Sequence, residues 1–186
     1  MSKTEIQIAG FGGQGVILAG GILGRAAAIY DEQYATLTHS YGPEARGGAC
    51  SAQVIISDER VGYPYVDKPD ILVLMSREAG EKYISNLRKG GMLIYENELV
   101  RVPEDYPEES FGFPGLRMAE NMGNRIVLNM VMMGFVCSVC GMITPEAMRK
   151  SIRQTVPHGT EDINVMAFDR GYQYGNKEAH EIEITS

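Results

Sequence analysis

Ile6-Gln7-Ile8-Ala9-Gly10-Phe11-Gly12-Gly13-Gln14-Gly15, running on into Val16-Ile17-Leu18-Ala19, is the stretch that decides the fold. Alternating Ile6 and Ile8 read as a strand, and the four glycines allow a tight turn with close backbone approach. The apolar run that follows opens a helix, whose unpaired N–H groups and partial positive charge face whatever occupies the turn. The spacing Gly10-x-Gly12-x-x-Gly15 meets the dinucleotide fingerprint, which also asks for an Asp or Glu about 20 residues on, closing the second strand. Here the second strand, Tyr34 to Thr38, runs out into His39 and Ser40, while Asp31 and Glu32 fall before it in the turn. A free-standing NAD or FAD site therefore lacks its ribose-binding acid. The competing reading gives the glycines only tight helix-on-strand packing, as for Gly20, Gly21 and Gly24 on the next turns.

Working outward, Glu5 to Ala9 is a strand, Gly15 to Tyr30 a helix, and Tyr34 to Thr38 and Ser51 to Ser57 are strands. A turn at Asp58-Glu59-Arg60 and a short strand at Val61 to Tyr63 lead into the loop Pro64 to Pro69. Asp70-Ile71-Leu72-Val73-Leu74-Met75 has no polar face after Asp70, the pattern of a central parallel strand covered on both sides. Ser76 caps a helix with Tyr83, Ile84 and Leu87 on its apolar face; Gly90-Gly91 ends it, and Met92 to Tyr95 is the next strand. The β-α-β rhythm predicts an α/β fold, one Rossmann-like domain with a mostly parallel doubly wound sheet and additional C-terminal helices.

The Pro-, Glu- and Gly-rich segment Val102 to Arg117 reads as an exposed connection. Ile126 to Ile143 is a Met-rich helix with almost no polar face, to be buried in the domain or beneath another subunit. Asn129, Gly134, Ser138 and Gly141 dilute it, and no basic flank supports membrane insertion. Thr144-Pro145-Glu146 starts a helix to Gln154, and Asp162 to Gly175 forms the last one. His180 to Ser186 is a short strand or a tail.

The 186 residues, 44% hydrophobic and 22% charged, suit one globular domain. A net charge of -7 opposes a general nucleic-acid role. The N-terminus enters a strand without the regions of a signal peptide, so a cytoplasmic protein is expected. Cys50, Cys137 and Cys140 are too few for a disulfide framework. Cys137-Ser138-Val139-Cys140 matches C-x-x-C, but it sits deep in an apolar helix with no second pair or spaced His, so core packing is expected. None of His39, His158 and His180 stands in a triad sequence, so no self-contained catalytic centre is visible.

The second informative segment is Ser40-Tyr41-Gly42-Pro43-Glu44-Ala45-Arg46-Gly47-Gly48, directly after the second strand. Ligands in open α/β folds bind beyond the carboxyl ends of strands, so this loop and the glycine turn should converge on one crevice. Arg46 could fork onto a phosphate while glycine amides approach it, or simply pair with Glu44 on the surface.

Together, Gly10-Phe11-Gly12-Gly13-Gln14-Gly15-Val16 and Ser40 to Gly48 closely resemble the gamma subunit of 2-oxoacid:ferredoxin oxidoreductases, above all the 2-oxoglutarate branch. The resemblance runs on through Gly123-Asn124 and Asn129-Met130 to Asn164, Ala167, Phe168 and Gly171, and implies a single gamma-type domain over residues 1–186. It implies a multi-subunit enzyme that decarboxylates a 2-oxoacid on thiamine diphosphate, passes electrons through iron-sulfur clusters to ferredoxin and forms an acyl-CoA. Thiamine diphosphate and the clusters would lie on partner subunits, and this chain would help to hold or cover coenzyme A. The residues implied are Gly12, Gly13, Gln14 and Gly15 in the turn, with Ser40, Tyr41 and Arg46 in the second loop. A contact between two copies of the chain is also expected. The pyruvate, branched-chain and indolepyruvate enzymes, an independent nucleotide-binding oxidoreductase, and a structural subunit whose loops form interfaces remain alternatives.

Overall fold

A computed structural model describes residues 3–40 and 48–185, with side chains as far as Lys177. Six strands, β1 (Lys3–Phe11), β2 (Tyr34–Ser40), β3 (Ala49–Ser57), β4 (Ile71–Leu74), β5 (Met92–Glu96) and β6 (Glu109–Phe113), form one sheet in the order β2-β3-β1-β4-β5-β6. β1, β4, β5 and β6 are mutually parallel. β3 is antiparallel both to β1 and to β2, so β3 alone is reversed. The sheet is mostly parallel, as expected, although β2 and β3 form a hairpin rather than a crossover. Both are half-polar strands, and alternation does not encode strand direction.

Between the strands and beyond them lie α1 (Val16–Arg25), α2 (Arg77–Tyr83), α3 (Gly115–Asn121), α4 (Leu128–Cys140), α5 (Pro145–Thr155) and α6 (Glu161–Thr185). A π-helical turn, Ala26–Tyr30, extends α1. The two sheet faces are covered unequally. Ile6, Ile8, Val54, Ile56, Val73 and Ile94 share a core with α1, α3, α4, α5 and α6. The other face, with Ala9, Leu72, Leu74 and Leu93, is covered by Ala79 and Tyr83 of α2 and by Leu87. The Ser76 hydroxyl accepts a hydrogen bond from the Ala79 amide at 3.2 Å, as a helix-capping serine should.

Three expectations are corrected. Val61 to Tyr63 is not a strand. Its neighbour Val66 instead ties the segment to β3, through Gln53 Nε2 donating to the Val66 carbonyl at 2.9 Å. The segment read as an exposed connection contains β6 and the start of α3. β6 is an edge strand that buries only Phe113, so polarity along it hid the pairing. A Cβ on Gly112 would sit 2.8 Å from the Tyr95 hydroxyl, so the Tyr95 ring would have to shift to admit one. The final helix does not stop at Gly175 but continues to Thr185, which replaces the strand-or-tail reading from His180 to Thr185; Ser186 lies outside the described residues.

The turn between β5 and α3 is organised by Glu96, which has no exposed surface. Its Oε2 accepts from the amides of Glu98 (2.9 Å) and Leu99 (2.7 Å), and its Oε1 from Leu116 at 3.1 Å. Burial pushes the carboxyl pKa upward, against the pull of these three N–H groups.

The Met-rich helix α4 is buried by its own domain. Leu128 through Cys137 are all buried, and α6 crosses α4 where both helices carry glycine. A Cβ on Gly134 would overlap the Phe168 carbonyl oxygen and stand 2.7 Å from the Tyr172 nitrogen. A Cβ on Gly171 would overlap the Val131 carbonyl oxygen in turn. Backbone therefore packs on backbone, and these glycines are steric requirements. Phe113 stacks on Phe135 with centroids 4.3 Å apart, and Tyr174 meets Phe113 edge-on at 5.1 Å. Such pairs contribute about 0.5–1.5 kcal/mol each beyond their area and join β6, α4 and α6.

Candidate functional site

The glycine turn stands at the carboxyl edge of the sheet, between β1 and the N-terminus of α1. Gly13 and Gly15 have φ of 103° and 70°, left-handed values that side chains resist. The Gln14 side chain holds the turn from within. Its Oε1 accepts from the Phe11 amide at 2.6 Å, and its Nε2 donates to the Met75 carbonyl at 3.0 Å. The Gln14 backbone N–H donates to Phe11 O at 3.0 Å. Gln14 was expected to shape backbone contact with a ligand; its side-chain amide is turned inward as a brace between the ends of β1 and β4.

Gly12 and Gly13 are exposed, and Gly15 is half-buried. Among the described residues, a Cβ on Gly13 would meet nothing within 4 Å. At Gly15 a Cβ would overlap Asn129 Nδ2 and lie 3.2 Å from its Cγ. Asn129, 3% exposed, donates from Nδ2 to the Gly15 carbonyl at 3.3 Å and accepts from the Met130 amide at 2.9 Å. Asn129 thus fastens α4 to the turn. Its function was readable in sequence only as a polar residue out of place in an apolar helix.

The first intrahelical bond of α1 runs from Ala19 N to Gly15 O at 2.9 Å, which leaves the amides of Val16, Ile17 and Leu18 without helical acceptors. No side chain caps this end and no acid lies in its first turn. The end is electropositive, carries no acid in its own first turn, and is bordered by the exposed Gly12 and Gly13.

The second loop arrives at the same edge. Ser40 closes β2 opposite Ser51, which is also opposite Ala9 of β1, so Ser40 and Ala9 are two strand spacings apart, roughly 10 Å. At the other root of the loop, the Gly12 amide donates to the Gly48 carbonyl at 3.4 Å. The convergence read from sequence is therefore present for the turn, Ser40 and Gly48. Tyr41 and Arg46 lie outside the described residues. Asp31, one of the two acids before β2, is committed elsewhere: its carboxylate accepts from Thr144 N and Thr144 Oγ1, both at 2.7 Å, and anchors the start of α5.

The cysteines belong to the packing. Burial pushes the thiols of Cys137 and Cys140 up to about 12, so neither is a ready thiolate. Cys137 Sγ donates to the Ile143 carbonyl at 3.2 Å, and Cys140 Sγ lies 3.9 Å from Met92 Sδ. Among the described residues no group of three His, Cys, Asp or Glu side chains is placed to hold a metal ion, and these thiols do not suit an iron-sulfur cluster. Among the described residues, too, no helix is long and apolar enough to cross a membrane.

This turn, sheet and helical layer recur in known proteins. The family model for pyruvate ferredoxin/flavodoxin oxidoreductase matches residues 5–174. The 2-oxoglutarate synthase subunit KorC of Methanothermobacter marburgensis is 50% identical over 91% of this chain and 95% of its own length. The crystal structure of a keto/oxoacid ferredoxin oxidoreductase gamma subunit from Geobacter sulfurreducens superposes with a TM-score of 0.82 at 36% identity, covering 93% of this chain and 96% of that one. The same fold, at 21% identity and a TM-score of 0.82, spans 32% of a 2-oxoglutarate:ferredoxin oxidoreductase chain from Magnetococcus marinus, with 95% of this chain covered. The chain therefore belongs to the pyruvate ferredoxin/flavodoxin oxidoreductase family, as one of its gamma-type oxoacid oxidoreductase subunits.

Proposed function

We propose that this chain is the gamma subunit of a 2-oxoglutarate:ferredoxin oxidoreductase and that its glycine turn helps to hold or cover coenzyme A at an active site shared with partner subunits. The reaction couples oxidative decarboxylation of 2-oxoglutarate, on thiamine diphosphate carried by a partner, to formation of succinyl-CoA and reduction of ferredoxin. The identity to KorC favours 2-oxoglutarate over the other oxoacids. The structure of the Magnetococcus enzyme has 2-oxoglutarate, coenzyme A and succinyl-CoA bound. A cytoplasmic complex, with contact between two copies of this chain, completes the reading.

The observation that carries it is the uncapped N-terminus of α1 beside the exposed Gly12 and Gly13, with Ser40 and Gly48 bringing the second loop to the same edge. Such an end favours a phosphate anion, and the lack of an acid closing β2 disfavours a free NAD or FAD ribose. Within this reading, the chain's own residues bind and orient. Gly13, Gly15 and the first turn of α1 offer N–H groups to the pyrophosphate, Gln14 and Asn129 keep the turn rigid, and Ser40, Tyr41 and Arg46 close over the ligand.

The test is Arg46→Ala in the assembled enzyme. The KM for coenzyme A should rise about tenfold or more, as expected for a charged phosphate contact, while coenzyme A-independent decarboxylation remains. An unchanged coenzyme A dependence refutes the assignment. Comparing 2-oxoglutarate, pyruvate and branched-chain oxoacids as reductants of ferredoxin tests the substrate.

A further inference from the structure

A second concavity lies on the α2 side of the sheet and runs along that helix. Residues 77, 80, 81 and 84 recur at helical spacing, so Arg77, Gly80, Glu81 and Ile84 form one wall. Arg101 and Pro103, from the segment after β5, form the other, and the space between is about 280 Å³. Val100 packs close to α2, because a Cβ on Gly80 would lie 3.0 Å from its Cγ1. The Tyr106 hydroxyl donates to Ile84 O at 3.1 Å and ties the two walls together.

Arg77 begins three residues after β4 ends, and Arg101 lies five residues after β5 ends. These strands are parallel neighbours about 4.8 Å apart, so the segments that carry Arg77 and Arg101 both leave the sheet at its ligand-bearing edge. Met75, two residues before Arg77, is the residue that Gln14 grips from the glycine turn. Among the described residues, neither arginine has an ion-pair partner, whereas Arg88, Arg117, Arg125, Arg149 and Arg153 are all paired. Glu81 shares the wall but is not within ion-pair distance of either arginine.

We propose that this groove binds a phosphomonoester group, with Arg77 and Arg101 forking onto its oxygens. Arg77 and Arg101 line one space, a planar guanidinium fork matches the oxygen geometry of phosphate, and two such charges suit a dianion. The space exceeds what one phosphate fills, and Ile84 and Pro103 provide an apolar surface for the organic body attached to it. Glu81 disfavours a second anionic group and can accept from a hydroxyl or amine. The phosphate group has two candidate sources, the 3′-phosphate of coenzyme A held at the glycine turn, or free inorganic phosphate. The first source rests on the function proposed above; the anion site does not.

The assembled complex is titrated calorimetrically with coenzyme A, 3′-dephospho-coenzyme A and inorganic phosphate. Expected for the first source is at least tenfold tighter binding of coenzyme A than of the dephospho form. The Arg77→Ala/Arg101→Ala variant should abolish that preference while binding dephospho-coenzyme A like the wild type. Arg25→Ala, which removes a charge elsewhere, should keep the preference. Phosphate binding lost in the double variant, with coenzyme A and its dephospho form indistinguishable or both unbound, assigns the site to free phosphate. If coenzyme A binds without preference for its 3′-phosphate and phosphate does not bind, the inference fails while the coenzyme A assignment stands. No binding of any of the three overturns both. Loss of subunit assembly in the double variant without phosphate binding by the wild type gives the groove to a partner's carboxylate and overturns the inference.

Discussion

Replacing Gly134 with alanine tests whether the α4–α6 crossing is a backbone contact. The added Cβ would overlap the Phe168 carbonyl oxygen, where comfortable packing needs about 3.5 Å, and would press on the Tyr172 amide at 2.7 Å. Neither group is a flexible side-chain end, so α6 must move away from α4 as a body. That displacement opens gaps around Phe135 and Phe168, both fully buried, and weakens the stacked and edge-on contacts with Phe113 and Tyr174. Overpacking costs about 1–3 kcal/mol where side chains can adjust and about 3–5 kcal/mol here, where backbone must shift, while alanine returns about 1 kcal/mol of helix propensity. A net loss of about 2–4 kcal/mol follows, which for a chain of this length lowers the melting temperature by about 5–15 °C. Gly21→Ala is the control. It lies inside α1, a Cβ there meets nothing within 4 Å, and the same propensity gain should stabilise the protein by about 0.5–1 kcal/mol. Thermal and urea unfolding followed by circular dichroism measure both. A Gly134→Ala variant within 1 kcal/mol of wild type, or a Gly21→Ala variant equally damaged, would show that the close crossing does not constrain the fold.

Other consequences are equally specific. Gln14→Leu removes both side-chain bonds that brace the glycine turn and should cost about 1–3 kcal/mol in urea unfolding, with a raised KM for coenzyme A in the complex; wild-type stability would mean that the brace is not used. Because the Glu96 pKa is raised in the folded chain, its contribution to stability is fully present below the ordinary carboxylate range and is lost as pH rises through the shifted value. As pH rises across this window the urea midpoint of wild type should therefore fall relative to that of Glu96→Gln, and parallel profiles would contradict the burial argument. With their pKa near 12, Cys137 and Cys140 should resist iodoacetamide at about pH 8 in the folded protein and react once it is unfolded. Rapid labelling of the native chain, read by mass spectrometry, would place them at an accessible site.

By itself the sequence determined the elements whose chemistry is local. The strand-glycine-helix unit at Ile6 to Ala19, the apolar strand β4, and the helix starts at Ser76 and Thr144 are written in periodicity and capping residues, and each stands where its residues require. The paired glycine segments likewise carried the family resemblance. Tertiary structure decided what depends on residues distant in sequence. The reversal of β3 is set by which strand edge it meets, and β6 forms on β5 despite its polar composition because Phe113 enters the core built by α4 and α6. The same holds at the site. Gln14, read as a contact residue, becomes a brace because Met75 stands opposite it; Gly15 is obligatory because Asn129, 114 residues away, occupies the space of a side chain. Arg77 and Arg101 carry no sequence signal at all, since a groove exists only once two neighbouring strands deliver their following segments to one edge. Local physical chemistry specifies a turn or a cap within a few residues, whereas burial, close approach and concavity are properties of the packed chain.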